Sequence, residues 1–375
     1  MNAVVTPISP SSSAAPKPAP GRRVRPIEVE SQRILTGTLA SLKAYFDDPA
    51  VSEIMVNSPD SVFVERQGKM FPVEATFTDA QIESCLHAIM RLNSKEITPI
   101  MDARLAGLRV AAALPPIAIH GPMIVIRKHA SRRFPLDEYV EQGAFTRLRP
   151  DQIAGESASE EMQREMEAAA AVGGAGLEAF LRWAVLAHKN ILVVGGTSSG
   201  KTTFLSSLLL EIPASERIIT CEDTHEIIVE QPNVLQLEGW SNPDPLKAVT
   251  IRDLIRLCLR SRPDRIIVGE VRGPEAYDFL DSMNTGHSGS IGTLHADSAL
   301  QGLARLESLI RMSPTAANLP LVDMRTQIAT AINYVVFQSR LGGKRGPQQV
   351  LSLQGVDDSG HYVAQTIFNR LSTQE

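Results

Sequence analysis

Downstream of residue 177 the chain alternates between two hydrophobic rhythms. Short apolar, β-branched runs predict strands at 190–194, 216–221, 265–269 and 289–294, and apolar positions three and four apart predict helices at 177–188, 201–210, 250–261 and 274–284. Apolar strands that alternate with helices predict a parallel sheet covered on both faces, with any ligand at the carboxyl ends of its strands. The pattern upstream is different. Ile34 to Phe46 carries apolar residues at helical spacing, and Ile54/Val56 and Val62/Val64 alternate on either side of the turn Ser58-Pro59-Asp60-Ser61. Thr78 and Gln81 form a capping box ahead of a helix over 82–92. Together these predict a small α+β domain ending near Arg127.

Two segments follow neither rhythm. Residues 1–26 mix Pro7, Pro10, Pro16, Pro18, Pro20 and Pro26 with serine and alanine, a composition that buries too little apolar surface to offset chain entropy and reads as disordered. Its only charges, Lys17, Arg22, Arg23 and Arg25, read as a solvated tail in which contact with anionic lipid is the minor alternative. Between 129 and 176 the sequence reads as an extended linker, in which Ser157 and Glu160 cap an exposed acidic helix that stops at Gly173-Gly174. The expected division is therefore a tail over 1–32, the α+β domain over 33–128, a linker with an acidic helix over 129–176, and the larger α/β domain over 177–375.

Composition narrows the class without naming it. With 43% hydrophobic and 21% charged residues the chain reads as an ordinary soluble globular protein. The longest apolar stretch, Arg109 to Ile126, is cut by Pro115, Pro116, His120, Gly121 and Pro122, so no segment approaches the roughly 20 residues of a membrane-spanning helix. The amino terminus has no apolar signal core, which leaves a peripheral role at most. A net charge of −5 gives no global preference for nucleic acid, and direct nucleic-acid binding is not evident. Cys85, Cys221 and Cys258 are far apart in sequence and read as reduced, mostly buried thiols.

The candidate chemistry falls at the predicted strand ends. Residues 195–203, Gly-Gly-Thr-Ser-Ser-Gly-Lys-Thr-Thr, match the phosphate-loop pattern G-x-x-x-x-G-K-[ST] between a buried strand and a helix start. Gly196, Thr197, Ser198, Ser199, Gly200, Lys201, Thr202 and Thr203 are the expected ATP-binding residues: backbone N–H groups cradle the phosphates, Lys201 reaches their β and γ groups, and the Thr202 hydroxyl ligates Mg²⁺. Glu270 closes the strand 265–269, where a carboxylate meets Mg²⁺ and the attacking water, and Glu222 and Asp223 close the strand before it. One of these acids orients or deprotonates water while another holds the loop. His287, between Gly286 and Ser288-Gly289, reads as a sensor of the γ-phosphate. His295, followed by Ala296, stays open between a structural and a functional reading.

Taken in order, these motifs resemble those of the secretion traffic ATPases, the hexameric motors of type II and type IV secretion, pilus assembly and conjugation. Residues 195–203 look like the family's Walker A loop, 217–226 like its Asp box, 266–273 like its Walker B and 284–290 like its His box. Ser52-Glu53-Ile54-Met55-Val56-Asn57 and the stretch 102–109 followed by Pro115-Pro116 extend the likeness into the amino-terminal half. The resemblance implies an α/β fold with a carboxyl-terminal RecA-like P-loop NTPase domain and a smaller α+β amino-terminal domain. It further implies Glu270 and Glu222 as catalytic acids, His287 as the γ-phosphate-linked residue, and Arg109 and Arg127 reaching the nucleotide from the amino-terminal domain.

By the same resemblance the partners are further copies in a homohexamer and the inner-membrane proteins of a secretion or pilus-assembly system, with the chain cytoplasmic and peripheral at that membrane. The compact layout, the lack of a cysteine tetrad and the phrase at 262–272 look most like the conjugation-type VirB/TrbB group, which powers type IV secretion or conjugative transfer. The Tad or type IV pilus and type II assembly ATPases are the alternative. A small-molecule kinase would share the phosphate loop but need a lid and an acceptor site, and a low-turnover nucleotide-dependent scaffold is a third class. Ser199 stands where the family usually has glycine, and the acidic segment over 150–175 is longer than the family's linker.

Overall fold

The computed structural model describes residues 33–34, 37–105, 108–128, 141, 160–242, 244 and 248–371. The tail expected over 1–32, the first part of the expected linker and the capping position Ser157 lie outside the described residues. The chain divides into two compact units, Met1–Ser157 and Ala158–Glu375.

The first unit is an antiparallel sheet with a helix on one face. The helix expected over 34–46 is broken into a 3₁₀ turn, Ala40–Leu42, and a short α1, Lys43–Asp47. Gly37 between Thr36 and Thr38 accounts for this, since glycine and β-branched residues are poor helix formers. β1 (Val51–Ser58), β2 (Ser61–Arg66) and β3 (Lys69–Pro72) form a meander, and α2 (Asp79–Leu92) follows. The Thr78 hydroxyl accepts the Gln81 N–H at 3.2 Å, and Gln81 Oε1 accepts the Thr78 N–H at 2.8 Å, completing the capping box. The apolar stretch from Arg109 is divided between β5 (Leu108–Ala113) and β6 (Met123–Arg127), with β4 (Ile100–Leu105) on the outside. In the order β3-β2-β1-β6-β5-β4, one face packs Ile54, Val56, Val64, Ile124 and Ile126 into a core shared with Ile82, Leu86 and Ile89 of α2.

The second unit begins with α3 (Glu160–Val172) and α4 (Ala175–Leu186) and continues as β7 (Ile191–Gly195), α5 (Lys201–Leu209), β8 (Ile218–Glu222) and β9 (Val234–Glu238). Then come α6 (Ile251–Cys258), β10 (Arg265–Val268), α7 (Glu275–Asn284), β11 (Ile291–His295), α8 (Ala299–Arg311) and α9 (Leu321–Ala331). The chain ends on β12 (Tyr334–Leu341), β13 (Lys344–Val356) and β14 (Tyr362–Asn369). The sheet order is β14-β13-β12-β7-β11-β10-β8-β9, parallel from β12 to β9 and antiparallel across β13 and β14. The chain leaves β7 and returns three strands away at β8, with β10 and β11 later filling the space between, so the carboxyl ends of β7, β8, β10 and β11 lie along one edge.

The acidic helix α3 is a working part of this unit. Met166 and Ala170 pack into its core, and Glu167 Oε1 accepts hydrogen bonds from the Tyr334 hydroxyl at 2.8 Å and the Ser352 hydroxyl at 2.9 Å. Burial, with Glu167 beside it, pushes the Tyr334 phenol up. Among the described residues no helix is long and apolar enough to cross a membrane. Cys85, Cys221 and Cys258 are free and buried, and the latter two sulfurs lie 3.2 Å apart.

Candidate nucleotide site

β7 is entirely buried and pairs in register with β11, Gly195 opposite His295, and with β12, Val194 opposite Phe337. At its end the backbone must turn within a space that excludes a side chain. A Cβ on Gly195 would lie 2.2 Å from the Gln338 carbonyl oxygen and 2.7 Å from Ser199 Oγ. Ser198 and Gly200 take left-handed φ values of 58° and 91°. Gly200 is the N-cap of α5 and no side chain caps the helix, so its first-turn N–H groups are left for an anion. Thr197 and Ser198 form the exposed tip, Ser199 is buried, and Thr203 is exposed at the helix start.

Lys201 is only 8% exposed, and its ammonium donates to the Gly195 and Gly196 carbonyls at 3.0 Å each. Burial pulls its pKa down, against the opposing pull of Glu270. It also lies 3.5 Å from either ring nitrogen of His295. A carbonyl-held, partly desolvated cation inside a glycine loop is the donor geometry a phosphate group takes over.

The acids line a cleft of about 100 Å³ together with Thr202 and Arg272. Glu222, 2% exposed, is a structural clamp: Oε1 accepts the Glu226 and Ile227 N–H groups at 3.0 and 2.9 Å, and Oε2 meets His225 Nδ1 at 3.2 Å. It also fills the space beside Gly269, where a Cβ would lie 2.9 Å from Glu222 Cγ. Glu270 is freer. Its Oε2 accepts from Arg272 at 2.7 Å and its Oε1 lies 3.1 Å from His295 Nε2. Burial pushes the Glu270 carboxyl up, but Arg272, His295 and Lys201 outweigh it and hold the group below the usual carboxylate range. Asp223 goes the other way, raised chiefly by burial and then, against Arg272, by its acidic neighbours Glu275 and Glu270.

The cleft suits Mg²⁺. Among the described residues no cluster of His, Cys, Asp or Glu forms a cage for an ion. Mg²⁺ needs none, since it keeps several waters and binds through a hydroxyl or one or two carboxylates plus substrate phosphates. Thr202 with Asp223 and Glu270 in the same cleft offers that donor set.

The structure thus brings together Lys201, Thr202, Glu222 and Glu270 at one strand edge. Arg272 and His295 join them, each within hydrogen-bond distance of Glu270. The signal for His295 was its strand-end position in a strand adjacent to β7. His287 lies elsewhere. It sits in the turn between α7 and β11, with its N–H and Nδ1 both 3.3 Å from the Ser282 carbonyl oxygen. That turn precedes β11, which runs parallel to β7, so His287 is at the amino-terminal edge and separated from the phosphate loop by the length of the strand. Its glycine neighbours, Gly286 and Gly289 at φ 103° and 82°, serve the turn itself.

Arg109 and Arg127 belong to the first unit. Arg104, Arg109 and Arg127 are consecutive partners across β4, β5 and β6, followed by Glu53 on β1. Arg127 Nε donates to the buried Glu53 carboxylate at 2.5 Å, while Arg109 is exposed. Directly opposed like charges on one sheet face repel, and Glu53 offsets that repulsion at Arg127.

Residues 158–347 match the family described as type II/IV secretion system protein. The chain is 32% identical over 328 residues to the type IV secretion system protein VirB11 of Bartonella quintana, covering 84% of this chain and 92% of that protein. It is 33% identical over 325 residues to the conjugal transfer protein TrbB of Rhizobium radiobacter, covering 84% and 87%. Among solved structures, the VirB11 ATPase from the Brucella suis type IV secretion system, in complex with sulphate, superposes with a TM-score of 0.77 at 31% identity over 86% of this chain and 95% of that one. A two-unit fold, a glycine-loop lysine facing two strand-end acids, and likeness along most of the chain all lead to the same assignment: this chain belongs to the type II/IV secretion ATPase family, with the VirB11 and TrbB proteins among its relatives.

Proposed function

We propose that the chain hydrolyses ATP to drive a type IV secretion or conjugative transfer apparatus, as a homohexamer seated peripherally at the inner membrane with that apparatus's membrane proteins as partners. The observation that carries the hydrolytic reading is the convergence of Lys201, Glu270 and His295 within 3.5 Å steps of one another at the mouth of an uncapped helix. The N–H groups of α5 and the Lys201 ammonium bind the phosphates, and Thr202 would hold Mg²⁺, which when bound neutralises charge on the β and γ groups. Glu270, kept ionised by its cationic neighbours, accepts a proton from or orients the attacking water. Each Glu270 oxygen holds one partner, Arg272 or His295, and keeps a second lone pair with which to accept from a water. Glu222 keeps the loop after β8 in place while this happens. Arg109 and Arg127 are proposed to add positive charge at the triphosphate, for which the repulsive arginine row is the supporting observation.

Phosphate release by the full chain tests this reading. Lys201→Ala is expected to lower turnover at least about a hundredfold with folding intact, because a phosphate-pairing charge is lost and no core volume. Arg109→Ala, at an exposed site, is expected to lower turnover while leaving ATP bound. Normal turnover in the Lys201 variant would overturn the ATPase reading, and normal turnover in the Arg109 variant would remove that arginine from it.

A further inference from the structure

Glu270 and Arg272 reach the cleft from the turn that joins β10 to α7, a stretch outside both elements whose backbone has to be held from elsewhere. Burial alternates along it, with Val271 buried between the half-buried Glu270 and the exposed Arg272. Two buried residues grip the turn from its two ends. On β11, Thr293 donates its hydroxyl to the Gly269 carbonyl at 2.6 Å, and its own carbonyl accepts the Val271 N–H at 2.9 Å. At the first position of α7, Glu275 accepts the N–H groups of Arg272 and Gly273 on the single oxygen Oε1, at 2.7 and 2.6 Å. Its other oxygen also lies against the turn, since a Cβ on Gly273 would be 2.9 Å from Glu275 Oε2.

A carboxylate in the first turn of a helix ordinarily serves that helix's own free N–H groups. Glu275 reaches back past Pro274 to N–H groups that precede the helix, one of them belonging to Arg272, whose guanidinium holds Glu270 Oε2. Bonds to an ionised acceptor are the strong ones, and two converge here. Thr293 works from the other side. It shares a face of β11 with His295, which lies against Glu270 Oε1, and pairing with β7 sets Thr293 opposite Val193 and His295 opposite Gly195. The strand that borders the phosphate loop thus holds both the backbone next to Glu270 and its carboxylate. We propose that Glu275 and Thr293 are positioning residues for hydrolysis, fixing the turn so that Glu270 stays aimed into the cleft it shares with Thr202. The proposal rests on Glu270 acting on water. Such aim matters, because a misplacement of about 1 Å can cost about a hundredfold in rate.

A double-mutant cycle on phosphate release by the full chain, at matched folded protein and with ATP binding measured alongside, separates positioning from a purely structural role. Glu275→Ala is expected to lower kcat at least about tenfold while ATP affinity stays within about twofold. Glu275→Gln keeps an oxygen for both N–H groups and is expected to restore most of that loss. Added to Glu270→Gln, Glu275→Ala is expected to cost no more than about twofold further, because the carboxylate it positions is already gone. Thr293→Val removes the hydroxyl at nearly the same shape; it is expected to follow the same cycle and replaces Glu275→Ala if that variant does not fold. Equal losses with and without the Glu270 carboxylate, or kcat within about twofold of the unaltered chain in both single variants, overturn the positioning role. Normal turnover in Glu270→Gln alone would instead overturn the reading of Glu270 beneath it.

Discussion

At the amino-terminal edge of the parallel strands Arg217 and Arg265 are fully buried and tied down. Arg217 donates to the Ser261 carbonyl at 2.9 Å and to Asn233 at 2.7 Å, and Arg265 makes a two-pronged pair with Glu216 at 2.6 and 3.3 Å. Asn190 adds a staple, accepting the Ser290 N–H at 2.9 Å and donating to the Ala331 carbonyl at 2.6 Å. At the carboxyl-terminal edge of the same strands Lys201, Glu270 and Arg272 are also charged, but Arg272 is largely exposed and Lys201 borrows carbonyls that a ligand can replace. Charge at the first edge is spent within the fold. Charge at the second is kept available, with left-handed backbone at Ser198 and an uncapped helix beside it. A strand-end charge therefore carries chemistry only where its partners are exchangeable.

The largest effect expected from this contrast is on stability. Arg265→Met takes the fully buried guanidinium from the half-buried Glu216, which keeps His188 at 3.3 Å, and is expected to cost about 3 kcal/mol in denaturant unfolding, partly recovered by adding Glu216→Gln, which removes the underpaired charge. Turnover per folded molecule should persist. A cost below about 1 kcal/mol, the scale of an exposed pair, would put the amino-terminal edge in the exchangeable class.

The two histidines sharpen the contrast on the catalytic side. His295→Ala is expected to lower turnover about tenfold to a hundredfold, since it removes the partner that positions the Glu270 carboxylate beside Lys201. His287→Ala, at the other edge, is expected to change turnover by less than about twofold at matched folded protein. The reverse ranking in a phosphate-release assay would restore His287 as the nucleotide-linked residue.

A smaller effect lies in the acid dependence of folding. Burial pushes the Glu216 carboxyl up, but hydrogen bonds from His188 and Arg265 outweigh it and lower its pKa below the ordinary 4.5. A depressed folded-state pKa stabilises at pH values above the unfolded one, and the stabilisation is lost as pH falls through the folded value. Unfolding free energy measured below pH 4.5 should therefore fall more steeply in the unaltered chain than in Glu216→Gln. Parallel slopes would mean that the pair is not felt by the carboxyl.

Much of this was legible in the sequence because burial on both faces makes parallel strands read as apolar runs. The strands expected at 190–194 and 265–269 lie within a residue of β7 and β10, and the Thr78 box formed as expected. The carboxyl-terminal meander was not legible. β13 contains Gly346, Pro347 and Gly355, which read as turns, and the ladder accommodates Pro347 by a register shift next to Gln338. The place of His287 was not legible for a related reason: flanking glycines signal an unusual backbone but not which edge of the sheet it lies on. Pairing register supplies that, by setting His295 opposite Gly195.

The account stands on Glu270 acting on water at a site that binds nucleotide by other groups. Glu270→Gln keeps size and hydrogen bonding and removes the charge, so bound ATP and released phosphate should be measured in the same preparation. The expected result is ATP bound at close to unaltered affinity with phosphate release lowered at least about a hundredfold. Lost nucleotide affinity with normal turnover per bound ATP would contradict it.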